Sequence, residues 1–286
     1  MSQSILVTGA TGNIGYYVAK ELADNKQHVR VAVRNAENER RTFANLNVEM
    51  VEFDFLKPAT FTQALDGIHK VFLIRPPQLA DPKKDMKPFI DALKNNNVEQ
   101  IVFVSLMGVE KNPVVPHRKI EDMIREAAIG YTFLRPGFFM QNLNTTHRED
   151  IALRNELFMP VSKAKTSFID TRDIASVATV CLTEKGHIGK CYTLTGAKAL
   201  DYDEVAQILS NTLGRPIVYK NPGVLKFRRT IIQRGTKKEF ANVMTMLYVL
   251  TRLGTAKKVT TDVANILKRE PISFEQYATD FKEAWN

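Results

Sequence analysis

The stretch Gly9–Gly15, with the sequence GATGNIG, decides the fold of this 286-residue chain. It follows the apolar strand pattern SILVT at residues 4–8, and a helical pattern begins within it at residue 13. Between a strand and a helix, the first glycine permits a tight turn, the second lets a pyrophosphate approach the backbone, and the third lets the helix pack closely. The helix N-terminus then offers N–H groups to phosphate oxygens. This GxxGxxG spacing indicates a dinucleotide site; the alternative is a glycine-rich turn that binds nothing.

The next predicted strand, residues 28–34, ends in Arg34, which lies 19 residues beyond Gly15. A dinucleotide-binding unit reads the adenosine ribose about 20 residues after its glycines. An acidic residue there would bind the 2′-hydroxyl group of NAD, whereas the planar guanidinium group of arginine suits the 2′-phosphate of NADP. The sequence therefore predicts NADP in preference to NAD. The alternative is a solvated loop arginine that pairs with Glu37 or Glu39.

The first half of the chain alternates strand and helix patterns, which predicts βαβ units and a parallel sheet. Strands are predicted at 4–8, 28–34, 48–54, 69–75, 100–105 and 131–135, and helices at 13–25, 58–66, 84–96 and 117–128. Beyond residue 136, helices are predicted at 174–182, 202–213 and 238–253, with strands at 190–194 and 216–219. The fold class is therefore α/β, a Rossmann-type doubly wound parallel sheet with a smaller, mostly helical C-terminal lobe.

The expected domains follow from this change of pattern. We expect an NADP-binding Rossmann domain over residues 1–150 and a smaller substrate-covering lobe over 151–286. Residues 165–196 are expected to return to the main sheet. Asp201 is a plausible cap for the helix at 202–213, and Gly214 is a plausible stop.

Composition is ordinary for a globular protein, with 44% hydrophobic and 25% charged residues. The two cysteines, Cys181 and Cys191, form no metal or disulfide motif, and no signal or transmembrane run is evident. We therefore expect a cytoplasmic protein with no metal site and no membrane partner. The net charge of +9 is spread over scattered pairs, so we expect a basic surface and no nucleic-acid partner. The oligomeric state stays open.

Ligands of open α/β sheets bind beyond the carboxyl ends of the strands, so the residues there form the candidate site. Asp54 could accept a hydrogen bond from the adenine amino group, or cap the helix before Pro58. Arg75 and Pro76 follow the fourth strand and would shape the backbone near the middle of the cofactor. The predicted cofactor-binding residues are Gly9, Thr11, Gly12, Asn13, Ile14, Gly15, Arg34, Asp54, Phe55, Ile74, Arg75, Pro76, Ser105, Pro136, Gly137, Phe138 and Phe139.

The ordered series of motifs resembles the atypical short-chain dehydrogenase/reductase group, in its NmrA-like branch. The resemblance covers nearly the whole chain and rests on GATGNIG, VAVR ending at Arg34, YTFLRPG at 131–137 running on to Asn142, FIDTRDIA at 168–175, and the end, residues 271–285. The branch contains NADPH-dependent quinone and dye reductases, and proteins that bind NADP and report redox state to a regulatory partner. Some proteins of this branch are also named as nucleotide-sugar epimerases.

Catalysis is the open question, because the helix predicted after the fifth strand has no tyrosine. Ordinary members of the superfamily use a Tyr-x-x-x-Lys pair there, whose lysine lowers the pKa of the tyrosine. Tyr16 and Lys20 match that spacing on the first helix, where we treat the match as accidental. The candidate catalytic residues are His117, one helical turn before Glu121, and Ser105. His117 could donate a proton near neutral pH, or simply begin the helix.

Two functions of different class follow from the resemblance. The first is reduction of a quinone or a similar small electrophile by hydride transfer from NADPH, with water able to protonate the product. The second is a non-catalytic NADP(H) sensor that docks a protein partner. Sugar epimerisation ranks lower, because it needs a base that the missing pair would supply. The substrate pocket is predicted to be lined by Phe138, Phe139, Met140, Asn142 and Phe168, with core packing as the alternative for Phe138 and Phe168.

Overall fold

A computed structural model describes residues 4–286, and the chain divides into two compact units. The first unit runs to Pro136 and takes up Thr171–Leu194; the second contains Gly137–Asp170 and the chain from Thr195 onward. The division falls before residue 150. The segment that returns to the first unit is also shorter than 165–196, because the strand Thr166–Ile169 pairs with strands of the second unit.

The strands lie close to their predicted positions in the first unit. In chain order over residues 4–286, the strands are β1 (Ser4–Val7), β2 (His28–Val33), β3 (Glu49–Glu52), β4 (Ile68–Ile74), β5 (Gln100–Val104), β6 (Gly130–Pro136), β7 (Phe138–Phe139), β8 (Glu156–Phe158), β9 (Thr166–Ile169), β10 (Lys190–Leu194), β11 (Ala199–Leu200) and β12 (Val218–Lys220). The last strand is displaced from the predicted 216–219, and β7, β8, β9 and β11 were not predicted.

Each predicted helix is present, most with shifted ends, whereas the helices Ala36–Phe43 and Arg148–Arg154 were not predicted. They are α1 (Gly15–Asp24), α2 (Ala36–Phe43), α3 (Phe61–Leu65), α4 (Pro82–Asp85), α5 (Lys87–Asn95), α6 (Pro116–Glu126), α7 (Arg148–Arg154), α8 (Thr171–Thr183), α9 (Tyr202–Leu213), α10 (Val224–Gln233), α11 (Lys238–Arg252), α12 (Asp262–Leu267) and α13 (Phe274–Asp280). None of these helices, within residues 4–286, is long and apolar enough to cross a membrane.

Seven parallel strands form the main sheet of the first unit, in the order β10-β6-β5-β4-β1-β2-β3. The strand order reverses between β1 and β4, and open α/β sheets bind their ligands at such a switch point. All five residues of β5 are buried, as expected of a parallel strand covered on both faces. The predicted doubly wound parallel sheet is confirmed.

Helix α2 is a short polar helix that the hydrophobic pattern of the sequence does not predict. Only Phe43 of its eight residues is buried, so there is no apolar period to read. The helix begins because the Asn35 side chain accepts a hydrogen bond from the N–H group of Asn38 at 3.1 Å. Glu37 and Glu39 lie in its first turn, where the helix dipole favours acidic side chains.

The second unit has its own core, built mainly from helices around small sheets. Strand β9 pairs with β7 and β11, and β8 pairs with β12. Asp201 and Glu204 form a capping box at the start of α9, and Gly214 ends that helix in a left-handed conformation, as predicted. The fully buried Trp285 donates a hydrogen bond from Nε1 to the Leu143 carbonyl oxygen at 3.0 Å, which fixes the C-terminal end.

Candidate cofactor-binding site

The turn between β1 and α1 needs glycine at two positions. Gly9 has a positive φ of 61°, and a Cβ atom there would lie 2.3 Å from Cγ2 of Ile74, at the end of β4. A Cβ atom on Gly15 would lie 2.2 Å from the Gly9 carbonyl oxygen. The same distance for Gly12 is 3.3 Å, which is a crowded contact. Gly9 and Gly15 therefore serve the tight turn and the close packing of α1, while Gly12 leaves the surface of the turn uncovered.

The N-terminus of α1 has donors that no neighbour uses. Within residues 4–286, the N–H groups of Asn13 and Ile14 donate to no other residue, whereas Gly12 donates to the Gly9 carbonyl oxygen at 3.0 Å. The first turn of α1 carries no acidic side chain. Thr11 and Asn13 are exposed, while the Ile14 side chain is buried, so Ile14 offers only its backbone. Such donors at a helix N-terminus favour an anion.

Thr8 fixes this turn against β4, although it was not among the predicted site residues. Its hydroxyl group donates to the Phe72 carbonyl oxygen at 3.1 Å and accepts from the N–H group of Ile74 at 3.0 Å. The side chain is fully buried. The signal that could have identified it is a hydroxyl residue directly after an apolar strand and before the first glycine.

Arg34 lies at the end of β2 with an exposed side chain. The acidic residues that could have neutralised it have other partners: Glu37 pairs with Arg40 at 3.0 Å, and Glu39 accepts from the Thr42 hydroxyl group at 3.0 Å. Within the described part of the chain, Arg34 contacts no carboxylate. The structure therefore leaves a full positive charge beside the start of α2, which favours a phosphate there.

Asp54 and Phe55 follow β3, and the side chain of Asp54 is the more accessible of the two. Asp54 is half-buried, and its Oδ1 atom accepts a hydrogen bond from the N–H group of Leu56 at 2.9 Å, so it caps a turn. Phe55 was predicted to contact the cofactor. Instead its side chain is buried and packs edge to face against Phe53 and Phe89, because this unit's core extends to the end of β3.

The loop after β4 is held by the side chain of Arg75. Its Nη1 atom donates to the carbonyl oxygens of Pro76, Pro77 and Leu79 at 3.0, 3.2 and 2.7 Å. The buried Nε atom has no hydrogen-bond partner among residues 4–286, and burial lowers the pKa of the guanidinium group. Arg75 thus shapes the loop backbone, while Ile74 and Pro76 are half-buried beside it.

A buried carboxylate organises the ends of β5 and β6. Glu121, on α6, is fully buried and accepts a hydrogen bond from the Ser105 hydroxyl group at 2.6 Å. Arg135, from β6, donates to both oxygens of the same carboxylate, from Nε at 3.0 Å and from Nη2 at 2.7 Å. Arg125 adds a third partner at 3.2 Å. The predicted catalytic residue Ser105 is therefore fixed by a charged network. The sequence placed Glu121 one helical turn from His117, and the structure adds that its carboxylate binds Ser105, Arg125 and Arg135.

His117 is the other predicted catalytic residue, and its environment changes its expected role. Its ring stacks on Phe103 at a centroid distance of 6.1 Å. Burial, with a smaller contribution from the positive charge of Arg75, lowers the pKa of the imidazole to about 4, although Glu121 acts in the opposite direction. Burial therefore disfavours the imidazolium form of His117, and its role as a proton donor near neutral pH stays a prediction. At pH 7 it is a neutral ring that can only offer or accept a hydrogen bond.

The remaining predicted residues follow the end of β6. The Pro136 carbonyl oxygen accepts from the N–H group of Met107 at 3.1 Å in the first unit. In the second unit, Met140 and Phe168 are buried in the core, so their side chains pack against neighbours and do not form a pocket wall. Phe138 is half-buried and meets Phe168 edge to face at 5.5 Å, which also favours core packing. Gly137, Phe139 and Asn142 are half-buried as well.

A buried hydrogen bond next to these residues was not predicted. Gln141 donates from Nε2 to Oδ1 of Asp170 at 2.8 Å, and both side chains are buried in the second unit. The bond fixes the end of β7 to the end of β9. Over residues 4–286, no group of three or more His, Cys, Asp or Glu side chains could hold a metal ion.

Comparison with known proteins identifies the family. The sequence profile of the NmrA-like family matches residues 1–278. The chain belongs to the NmrA-like family. An NAD(P)H azoreductase from Xenophilus azovorans is 33% identical over 278 residues, covering 96% of this NmrA-like protein and 96% of the relative. Prestalk A differentiation protein A from Dictyostelium discoideum is 30% identical over 279 residues, covering 97% and 92%.

A solved structure agrees with the fold of this NmrA-like protein. The NADPH-dependent quinone oxidoreductase of Escherichia coli, solved in complex with NADPH, superposes with a TM-score of 0.88. The two sequences are 23% identical, and the match covers 97% of this chain and 99% of the other. The predicted resemblance and the predicted Rossmann-type fold class are both confirmed. The family includes NAD(P)H-dependent reductases among the relatives that match.

Proposed function

We propose that this NmrA-like protein binds NADP(H) on its first unit and reduces a quinone or a similar small electrophile. The observation that carries the cofactor assignment is Arg34, an exposed cation at the end of β2 with no carboxylate contact among residues 4–286. A 2′-phosphate group would supply the missing negative charge. The 2′-hydroxyl group of NAD would not, which favours NADP over NAD.

The glycine turn fits the pyrophosphate of the same cofactor. Asn13 and Ile14 provide N–H donors, and Gly12 leaves room for an anion because it has no side chain. Asp54 is the candidate for the adenine amino group, using the carboxylate oxygen that does not cap the turn. The backbone around Ile74 and Pro76 is the candidate for the middle of the cofactor, at the switch point of the sheet.

The reaction class is a two-electron reduction. NADPH, when bound, would supply a hydride ion, and the reduced acceptor would take its proton from water. Ser105 would orient a polar group of the acceptor or the cofactor, because the network of Glu121 and Arg135 fixes its hydroxyl group. His117 stays neutral at pH 7 and would contribute a hydrogen bond and an apolar ring face. An azo group and a quinone, for which two similar proteins are named, are both electron-poor conjugated acceptors.

The cofactor proposal is tested by measuring dissociation constants for NADP⁺ and NAD⁺ with Arg34→Ala. Loss of a charge-assisted contact should weaken NADP⁺ binding roughly 10- to 100-fold and leave NAD⁺ binding nearly unchanged. Arg41→Ala is the matched control, because Arg41 is also an exposed arginine and lies on α2. Equal losses for the two cofactors would refute the role of Arg34.

A second candidate function is an NADP(H) sensor that turns nothing over. It is favoured by α6, which carries no tyrosine and whose Glu121 is already engaged by Ser105, Arg125 and Arg135. One relative is also named for differentiation and not for a reaction. NADPH oxidation with a panel of quinones and azo dyes separates the two functions. Tight NADP(H) binding without turnover of any acceptor would favour the sensor.

A further inference from the structure

Nearly all of the net positive charge of this protein comes from one segment of the second unit. Residues 221–261 contain nine lysine and arginine residues and one acidic residue, Glu239, so they carry a net charge of +8 out of +9 for the whole chain. The segment consists of α10, α11 and the loop that follows. The basic pairs that look scattered in the sequence, at 228–229, 237–238 and 257–258, therefore belong to one region.

Most of these cations have no carboxylate partner. Within residues 4–286, only Arg234 among the nine pairs with acidic side chains, those of Asp150 and Glu156 at 2.6 and 2.8 Å. Arg228 donates to the neutral side chain of Asn242 at 2.7 Å. Lys237 and Lys238 at the start of α11 are exposed. The fold therefore does not neutralise this charge, and it stays available to an external anion.

Helix α11 is apolar on two sides, and only one of them is covered. Ala241, Met244, Tyr248 and Thr251 are buried in the core of the second unit. The other side carries Phe240, Val243, Met246, Leu247, Leu250 and, just past its end, Leu253, which are 37% to 74% exposed. Their spacing of three and four residues places them together along the helix. We call these six residues the outer face of α11.

We propose that the outer face of α11 docks on a membrane surface rich in anionic phospholipids. A helix with exposed Phe and Leu side chains and flanking lysines and arginines has the composition of a helix that lies in the lipid interface. The headgroups would neutralise the unpaired cations of residues 221–261, and the apolar side chains would enter the headgroup and acyl boundary. This revises the expectation that the protein has no membrane partner, and it needs no spanning helix.

The net charge of residues 221–261 favours an anionic membrane over a second copy of the chain or an acidic protein as the partner of this face. A second copy of the chain would bring one cluster of net charge +8 against another, which opposes association. An acidic protein would have to match cations on α10, on α11 and at 257–258 with carboxylates at fixed positions. A fluid anionic lipid surface can supply negative charge to every cation that faces it, so it needs no carboxylates at fixed positions.

The test is co-sedimentation of the full chain with vesicles of phosphatidylcholine alone, or of equal parts phosphatidylcholine and phosphatidylglycerol. We expect binding to the anionic vesicles only, weakened by added salt. Lys237→Gln/Lys238→Gln should weaken it about 25-fold, since each cation near such a surface contributes about fivefold. Lys83→Gln/Lys84→Gln removes another exposed lysine pair, from α4, and should leave binding unchanged.

The apolar contribution has its own matched pair. Leu253→Ser should weaken vesicle binding roughly tenfold, whereas Leu153→Ser should not, although the two leucines are 74% and 73% exposed. Equal binding to both vesicle types, binding to neither, or equal loss with the Lys83/Lys84 variant would overturn the proposal. A dimer in light scattering that Leu253→Ser dissociates would assign the face to a second copy and would also overturn it.

Discussion

Replacing Glu121 with glutamine removes the charge that holds the ends of β5 and β6 together. The carboxylate is fully buried and accepts from Ser105 at 2.6 Å, from Arg135 at 2.7 and 3.0 Å, and from Arg125 at 3.2 Å. Glutamine has nearly the same shape, so packing is kept. It has one oxygen acceptor in place of two, and its NH₂ group would face a guanidinium group, which also only donates.

The magnitude depends on what each arginine retains. The Arg135 side chain is 13% exposed and, among residues 4–286, keeps only Glu110 as an acidic partner, at 3.5 Å. The Arg125 side chain is 33% exposed and keeps Asp122 at 3.1 Å. Removing one partner of a buried ion pair costs about 3–5 kcal/mol. Because Arg125 retains a partner, we expect the lower value, about 3 kcal/mol for Glu121→Gln. A cost of this size lowers the unfolding midpoint by roughly 5 °C in a chain of this length, since the entropy of unfolding is about 2.1 cal/mol/K per residue.

Thermal unfolding at pH 7, followed by circular dichroism, measures this difference. Asp122→Asn is the matched control: Asp122 neighbours Glu121 and pairs with Arg118 and Arg125, but its side chain is 40% exposed. Exposed pairs contribute about 1 kcal/mol or less, so its midpoint should change little. Equal midpoints for the two variants would refute the reasoning. Glu121→Met/Arg135→Met should recover part of the loss, since no unpaired buried charge remains.

Three further substitutions test other parts of the structure. Gly15→Ala places a Cβ atom 2.2 Å from the Gly9 carbonyl oxygen, so it should abolish NADP(H) binding and lower the unfolding midpoint, whereas Gly223→Ala meets nothing within 4 Å and should do neither. Burial lowers the pKa of His147 to about 4, so between about pH 6.5 and 4 the unfolded chain binds a proton that the folded chain excludes. The free energy of unfolding should therefore fall as the pH drops through this range. His147→Gln should reduce that fall, as measured by urea unfolding at several pH values. If reduction occurs, His117→Ala should lower the rate without changing the shape of its pH profile between about pH 6 and 8, because the ring is already neutral there.

The sequence predicts the features whose cause is local. Gly9 and Gly15 occupy positions where any side chain collides with the backbone or with Ile74. Because glycine is required at both positions, their spacing is visible in the sequence. The strands of the main sheet are short apolar runs, and they were identified for the same reason. Arg34 was identified because its place at the end of β2 follows from the same unit.

The features that the sequence does not predict depend on residues far apart in the chain. The buried Glu121 carboxylate is paired with Arg135, which lies on β6, 14 residues later in the chain. No local sequence pattern predicts that ion pair. Met140 and Phe168 have the chemistry of a pocket wall, but burial in the second unit's core decides what they touch. His117 has an ordinary position at the start of α6, and only the structure shows that burial lowers the pKa of its ring.

The order of strands in the main sheet also determines how the chain can be shortened. Strand β10 comes from residues 190–194, far beyond Pro136, yet it pairs with β6 along Thr132–Pro136. A fragment that ended at Pro136 would keep the pairing of β6 with β5 but leave the N–H and C=O groups of β6 that face β10 unpaired at a sheet edge. Such an edge recruits strands from other molecules, so this fragment should aggregate. Any shortened version that keeps the first unit intact must therefore also keep Thr171–Leu194.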